Sequence, residues 1–284
     1  MSLTRNQLKE LLDEHGLRPS RALGQNFVVD ANTLRRIARL SGVGPGDAVV
    51  EIGAGLGALT LALAGTGASV TAVEIDRRLV PLLRSQVEPS GVRVVEADAL
   101  TLDWGELLEA VPPGADGSSW VMVANLPYNV AVPVVVRALD EAPAVRSMLV
   151  MVQREVGERL AAGPGSKAYG AVSVKVAYHA TARVVGRVPA SVFVPRPAVE
   201  SALVRIERRP LVAVDPAIVP AERLFELVRA GFAHRRKMLR QSLAGVVPPE
   251  AFTAAGVDPA ARAENLGVED WGRLAACAPG RLAS

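Results

Sequence analysis

Asn125-Leu126-Pro127-Tyr128 places together groups that few tasks need in succession. Asn125 brings a side-chain carbonyl oxygen, Leu126 a backbone carbonyl, Pro127 a fixed φ and Tyr128 an aromatic face. Two acceptors side by side can hold an amino group by its N–H bonds, and the aromatic can stack on a planar ring. That combination suits methylation of the exocyclic amine of a planar base. Such an amine has its lone pair delocalised into the ring, so it must be fixed and pyramidalised before it attacks. Against a good leaving group the reaction depends on positioning more than on a strong base. No histidine or cysteine stands near these residues in the sequence. The plainer alternative is an asparagine turn before proline, with the tyrosine in a core.

A second group is Val50-Glu-Ile-Gly-Ala-Gly-Leu-Gly57. Glycines let the backbone turn sharply and let a ligand approach, and the helix that follows presents free N–H groups. Gly53, Gly55 and Ala58 satisfy the dinucleotide fingerprint. Gly53, Gly55 and Gly57 equally satisfy the S-adenosylmethionine pattern, so the glycines alone leave both cofactors open. Glu74 follows Gly53 by 21 residues and can accept both hydroxyls of a ribose, which both cofactors carry. Asp98 can accept from an adenine amino group, or serve only as a turn former.

The elements that must position these residues alternate. Strands are expected at Ala48–Ile52, Val70–Val73, Val92–Val95, Trp120–Ala124 and Ser147–Gln153. Helices are expected at 4–14, Ala31–Leu40, Leu59–Ala64, Arg77–Val87, Val132–Leu139 and Arg154–Ala161. Continuous apolar strands alternating with helices imply a parallel α/β sheet covered on both faces. Both motif groups then lie at the carboxyl edge of the strands, where such sheets bind ligands. Ala171–Ala180 has strand character, and Val192–Pro197 is extended because two prolines forbid helix. Ala221–Leu243 reads as one long amphipathic helix, with shorter helices near 249–255 and 268–277. The expected division is a Rossmann-like domain over 1–205 and a small helical domain over 206–284.

The chain has 284 residues, half of them hydrophobic, and a net charge of +3. It is long enough for a sizeable core without disulfides or a structural metal. Its single cysteine, Cys277, forms no internal bridge and fits a reducing compartment. The histidines, His15, His179 and His234, lack metal-ligand spacing. The N-terminus lacks the apolar stretch of a signal peptide. Ile52 to Val73 runs 22 residues without a charge, a membrane-spanning length, yet five glycines interrupt it. A buried βαβ segment is expected there, with no membrane association and a cytoplasmic location. Residues 1–180 hold 17 basic and 19 acidic residues, whereas 181–284 hold 15 and 10, and the first forty hold 7 and 4. Basic ends around a mildly acidic middle suit flanks that touch a polyanion. Arg235, Arg236, Lys237 and Arg240 fall on the expected long helix, 236 and 240 on one face, and can track phosphates. Arg18, Arg21 and Lys167 are further candidates.

The motifs occur in one order: Leu23-Gly-Gln-Asn-Phe-Val-Val-Asp30, Glu51-Ile-Gly-Ala-Gly-Leu-Gly57, Val73-Glu-Ile-Asp76, Glu96-Ala-Asp98, Asn125-Leu-Pro-Tyr128 and Phe193-Val-Pro-Arg-Pro197. Together they resemble the rRNA adenine N6-dimethyltransferase family over about residues 17 to 277. The bacterial KsgA/RsmA branch, acting on small-subunit (16S) rRNA, is the most similar. The resemblance implies a class I methyltransferase fold with S-adenosyl-L-methionine as cofactor. It implies that Gln25, Asn26 and Val28 close over the methionine end, with residues 1–40 capping the cofactor and touching RNA. It places Gly53 at the methionine portion, Glu74 at the ribose and Asp98 at the cofactor adenine, with Gly55, Ile75 and Ala99 as further cofactor contacts. Asn125 would hold the target N6, with Leu126 and Pro127 beside it, and would also border the cofactor. Tyr128 and Phe193 would sandwich a flipped adenine.

Two adjacent adenosines in a hairpin loop near the 3′ end of 16S rRNA are the implied target, presented on a late small-subunit assembly intermediate to a monomer. The segment Val111–Ser119 departs from the pattern as an insertion, and Val28 stands where leucine is common. Three other readings compete: an Erm-type large-subunit methyltransferase, a mainly non-catalytic assembly factor, and an NAD-dependent oxidoreductase. The last leaves Asn125-Leu-Pro-Tyr128 without a role.

Overall fold

The computed structural model describes residues 4–20, 22–109 and 120–278; Arg21 and the expected insertion over Val111–Ser119 lie outside them. The chain divides into two compact units, Met1–Gly157 with Val184–Glu207, and Glu158–Arg183 with Arg208–Ser284. Residues 158–183 thus cluster with the C-terminal helices, whereas the sequence reading drew its boundary at 205/206.

The first unit opens with α1 (Arg5–Glu14), capped by Thr4 and Gln7 in a reciprocal capping box. Strand β1 (Phe27–Val28) leads into α2 (Ala31–Ser41), whose first turn is capped by the Asp30 carboxylate. Alternation then proceeds through β2 (Ala48–Ile52), α3 (Ala58–Ala64), β3 (Ser69–Glu74), α4 (Val80–Val87), β4 (Arg93–Glu96), α5 (Trp104–Glu109), β5 (Trp120–Asn125), α6 (Ala131–Glu141) and β6 (Val145–Gln153). The uncharged run from Ile52 to Val73 is therefore the end of β2, a turn, α3 and most of β3. No helix among the described residues is long and apolar enough to cross a membrane.

The chain continues through α7 (Arg154–Leu160), α8 (Ala171–His179), β7 (Ala180–Val188), β8 (Phe193–Val194) and β9 (Ser201–Arg208). The main sheet has the order β4-β3-β2-β5-β6-β9-β7, and β1 pairs with β8 as a separate ribbon. Strands β4, β3, β2, β5 and β6 are parallel, as expected, but β9 is antiparallel to β6. The sheet is therefore mixed, because a parallel expectation drawn from residues up to 153 contains neither β7 nor β9. Every residue of β2 is buried, which is what helices on both faces require.

In the second unit, α9 (Ala221–Ala233), α10 (Leu239–Ser242), α11 (Pro249–Ala255) and α12 (Val268–Cys277) pack with α8 around Leu224, Val228, Leu239, Phe252 and Trp271. Two sequence expectations fail here. Ala171–His179 is helix, not strand. Its valines at 172, 174 and 176 mimic a period of two, but Ser173 caps the helix start through the Gly170 N–H at 3.1 Å. Tyr178 then packs edge-on against Phe225 of α9, so tertiary contact overrides β propensity.

The expected helix over Ala221–Leu243 breaks at His234, whose backbone leaves the helical region. Longer-range bonds hold the break open: Met238 forms a bridge with Arg262, and the Leu239 N–H donates to the Ala261 carbonyl at 2.8 Å. Leu239 remains buried as the helix resumes, so apolar periodicity alone gives no sign of the interruption.

Candidate active site

The carboxyl ends of β2, β3 and β5 form the floor of a cavity in the first unit. Between β2 and α3 the chain turns through Gly53, Gly55 and Gly57, all at positive φ. Gly57 has no alternative: a Cβ there would lie 2.4 Å from Val87 Cγ1 and 3.0 Å from Leu83 Cδ1. At Gly55 a Cβ would lie 3.0 Å from the Phe27 ring, so this turn is pressed against β1.

The Glu74 carboxylate, at the end of β3, ties the turn down. Its Oε2 accepts from the Gly55 N–H at 2.7 Å, and its Oε1 from the Ile75 and Asp76 N–H groups at 3.0 and 2.9 Å. Burial raises its pKa, opposed by those three N–H bonds. Each carboxylate oxygen accepts about two hydrogen bonds, so Oε2 keeps capacity for a ligand hydroxyl.

Segment Ala22–Asn26 runs across the same edge. Gln25 donates through Nε2 to Asp76 Oδ2 at 3.0 Å and accepts through Oε1 from the Ser20 N–H at 2.7 Å. Asn26 donates to the Gly24 carbonyl at 3.0 Å. Most telling is Asn125: its Nδ2 donates to the backbone carbonyl of Asn26 at 2.9 Å, which leaves Oδ1 as an acceptor at the cavity. Leu126 is buried, and its N–H donates to the Met151 carbonyl at 3.1 Å, anchoring the loop to β6. The Tyr128 hydroxyl lies 2.8 Å from Ser201 Oγ, and burial raises its pKa.

Gln25, Asn26, Val28, Gly53, Gly55, Glu74, Ile75, Asn125, Leu126, Pro127 and Tyr128 all line one cavity. Asp98 and Ala99 line an adjoining one, which shares Gly53, Ile75 and Pro127 with the first. Phe193 lines neither. It is fully buried, paired through β8 with Val28, and belongs to the hydrophobic core. An aromatic sandwich with Tyr128 is not formed in this structure.

Glu51 opens the motif over 51–57, which assigns it no role, and lies inside β2 just before the glycine turn. It is 1% exposed, lines the first cavity, and its Oε2 has no hydrogen-bond partner. Burial pushes its carboxyl up to about 8, the Thr60 hydroxyl opposing and the Glu74 charge reinforcing. Its signal was its place: a carboxylate inside an otherwise apolar strand. Asp76 contrasts with it. The Arg78 guanidinium grips Asp76 with two hydrogen bonds, at 2.9 and 2.7 Å, and holds its carboxyl down to about 2. No cluster of metal-ligating side chains occurs among the described residues.

The basic candidates are scattered by comparison. Arg18 is exposed in the first unit. In the second unit Arg235, Arg236 and Lys237 lie on the turn after α9, not on a helix, so the shared face expected for 236 and 240 does not exist. Arg235 is engaged with its own unit, pairing with Glu264 at 2.7 Å and donating to the Lys167 carbonyl at 2.6 Å. Lys167, Arg236, Lys237 and Arg240 are exposed.

Residues 17–278 match the family described as Ribosomal RNA adenine dimethylase. The chain belongs to that family. Within it, the chain is 48% identical to the Ribosomal RNA small subunit methyltransferase A of Kineococcus radiotolerans, over 98% of this chain and 92% of the relative. It is 46% identical to the protein of that name from Thermobifida fusca, over 96% and 95%. The structure is similar to that of the 23S rRNA methyltransferase ErmE, with a TM-score of 0.68, 28% identity and coverage of 88% and 98%. A dimethyladenosine transferase from Plasmodium falciparum shares the fold, with a TM-score of 0.71 at 22% identity, over 87% and 95%. In this ribosomal RNA adenine dimethylase the glycine turn and the Asn125-Leu-Pro-Tyr128 loop thus border one cavity at the carboxyl edge of the strands.

Proposed function

We propose that this protein uses S-adenosyl-L-methionine to dimethylate N6 of two adjacent adenosines in a hairpin loop near the 3′ end of small-subunit (16S) rRNA. The observation that carries the reading is Asn125, whose amide nitrogen is tied to the Asn26 carbonyl so that its oxygen is left to accept. The residues present fit the cofactor. The orphaned Glu51 oxygen suits a cationic amino group, and Glu74 Oε2, with one N–H partner, keeps capacity for a ribose hydroxyl. Gln25, Asn26, Val28, Gly53 and Gly55 would hold the amino-acid end. Glu74 and Ile75 would hold the ribose, and Asp98 and Ala99 the adenine. When bound, the cofactor supplies a methyl group on a sulfonium, a leaving group good enough that no strong base is required.

The chain's own work is positioning. Asn125 Oδ1 and the Leu126 carbonyl accept the two N–H bonds of the target amine, and Pro127 stiffens the loop that carries them. Tyr128, its hydroxyl steadied by Ser201, stacks on the base. The adenine must leave its own stack to arrive there, which an unpaired loop makes easier. Phe193 becomes a second stacking face only if the Phe27–Val28/Phe193–Val194 ribbon shifts when the base enters. Arg18, Arg21, Lys167, Arg236, Lys237 and Arg240 are the proposed phosphate contacts, whereas Arg235 buttresses the Lys167 loop. The partner is the small subunit at a late stage of assembly, and the protein acts as a monomer.

The experiment is methyl transfer from labelled S-adenosylmethionine to small subunits lacking this methylation, with large subunits in parallel. Label recovered from the small subunit as dimethyladenine is the expected result. Identities of 46–48% to small-subunit relatives, against 28% to ErmE, favour that arm. Label on the large subunit alone would establish the Erm-type reading, and cofactor binding without transfer would establish a non-catalytic role.

A further inference from the structure

The segment Ala22–Asn26 carries two of the cofactor-facing residues, yet no regular element holds it. Side chains fasten it at two points. At one end, Gln25 donates to Asp76, a carboxylate only 5% exposed and locked by both nitrogens of the Arg78 fork. At the other, Asn129 Nδ2 donates to the Ala22 carbonyl at 3.1 Å. Gly24 shows how closely the second fastening is drawn. It sits at φ +63°, and a Cβ there would come within 2.7 Å of Asn129 Oδ1 and 3.2 Å of Pro127 Cβ. Asp76 lies just past β3, and Asn129 follows Tyr128 and also lines the cavity of Asp98 and Ala99. The segment is thus bolted to both loops, and one residue past the Gln25 bolt the Asn26 carbonyl receives the Asn125 amide.

We propose that Asp76 and Asn129 are positioning residues: a pair of clasps that hold Ala22–Asn26 across the cavity, so that the Asn26 carbonyl keeps the Asn125 side-chain oxygen turned toward the incoming amine. Neither clasp touches the reacting atoms. The Asp76 clasp steadies Gln25 and so acts first on cofactor binding. The Asn129 clasp steadies the base-side loop and so acts first on transfer. The inference rests on the methyl-transfer reading for what is positioned, but the closure itself is independent of any substrate.

Two variants separate the clasps. Asp76→Asn keeps the side-chain shape and removes the carboxylate. Asn129→Ala alters an exposed side chain, so it tests the idea even if the first variant fails to fold. Amide hydrogen exchange of residues 22–26, read with no RNA present, should quicken about tenfold in each, the loss expected for one link. In transfer to small subunits, Asp76→Asn should raise the KM for S-adenosylmethionine about tenfold. Asn129→Ala should lower kcat about tenfold, a loss that saturating S-adenosylmethionine does not restore. Unchanged exchange in folded Asn129→Ala overturns the clasp, and so does quickened exchange with parental KM and kcat. Quickened exchange in a protein whose parent transfers nothing would sustain the clasp while defeating the methyl-transfer reading.

Discussion

The glycine turn of the first unit and the basic turn of the second were both singled out by short stretches of sequence, but they behave differently in the fold. At Gly53–Gly57 the local spacing and the final geometry agree, because the turn lies between a strand and a helix and three of the residues that hold it, Glu74, Leu83 and Val87, follow soon after in the chain. Glu74 fastens it, and Val87 and Leu83 close over it. At 234–238 the local pattern points to helix, and contacts with Lys167, Ala261, Arg262 and Glu264 replace it with a turn. Backbone geometry that one motif dictates can be read from that motif. Geometry set by partners elsewhere in the chain cannot.

Substitutions can break or sharpen this contrast. The largest effect is expected at Gly57→Ala, which combines a left-handed backbone with a 2.4 Å encounter with Val87. It should destabilise the protein by about 3–4 kcal/mol in urea unfolding; a loss under about 1 kcal/mol would mean that the turn is not closed by packing. Next is Glu51→Gln. The folded-state pKa of Glu51 is about 8 against 4.5 for the free group, so the folded protein keeps a proton that the unfolded chain releases. The parent should lose stability from this group as pH rises through 4.5 to 8, and the glutamine variant should not. Between pH 5 and 7.5 the variant should gain about 3 kcal/mol on the parent, and a pH-independent difference would contradict the buried acid.

Smaller effects belong to the second region. Arg235→Ala should cost about 1 kcal/mol of stability, since its ion pair is partly exposed, and should leave the salt dependence of RNA binding nearly unchanged. Replacing Arg236 and Arg240 with alanine should do the reverse, with little effect on stability and a salt slope flatter by about 1–2. If Arg235→Ala flattens the slope as much as that pair does, the distinction between buttress and contact fails.

The parallel core strands and the helices from α1 to α6, apart from α5, were legible because apolar runs and caps mark them: Asp30 before α2, Thr4 before α1, five buried residues in β2. The glycine turn and the Asn125 loop, which share one cavity, were legible as motifs. Helix α8 was not, because alternating valines carry a strand signal that only Phe225 and its neighbours override. Glu51 drew no role from its motif because a carboxylate within a strand has no spacing rule, and only its burial beside Glu74 gives it meaning. Phe193 shows the limit of carrying a role from a motif: the motif implies a stacking partner, while the side chain is fully buried in the core. The clasps from Asp76 and Asn129 join residues 51 and 107 positions apart, beyond the reach of any local pattern.

The central claim is that Asn125, oriented by the Asn26 carbonyl, holds the amine that is methylated. Its most direct test is Asn125→Ala, with cofactor affinity measured by calorimetry and transfer to small subunits measured in single turnover. Transfer should fall at least about a hundredfold, far more than cofactor affinity, with no dimethyladenine recovered. Dimethyladenine formed at the parent's rate by the folded variant would contradict the account.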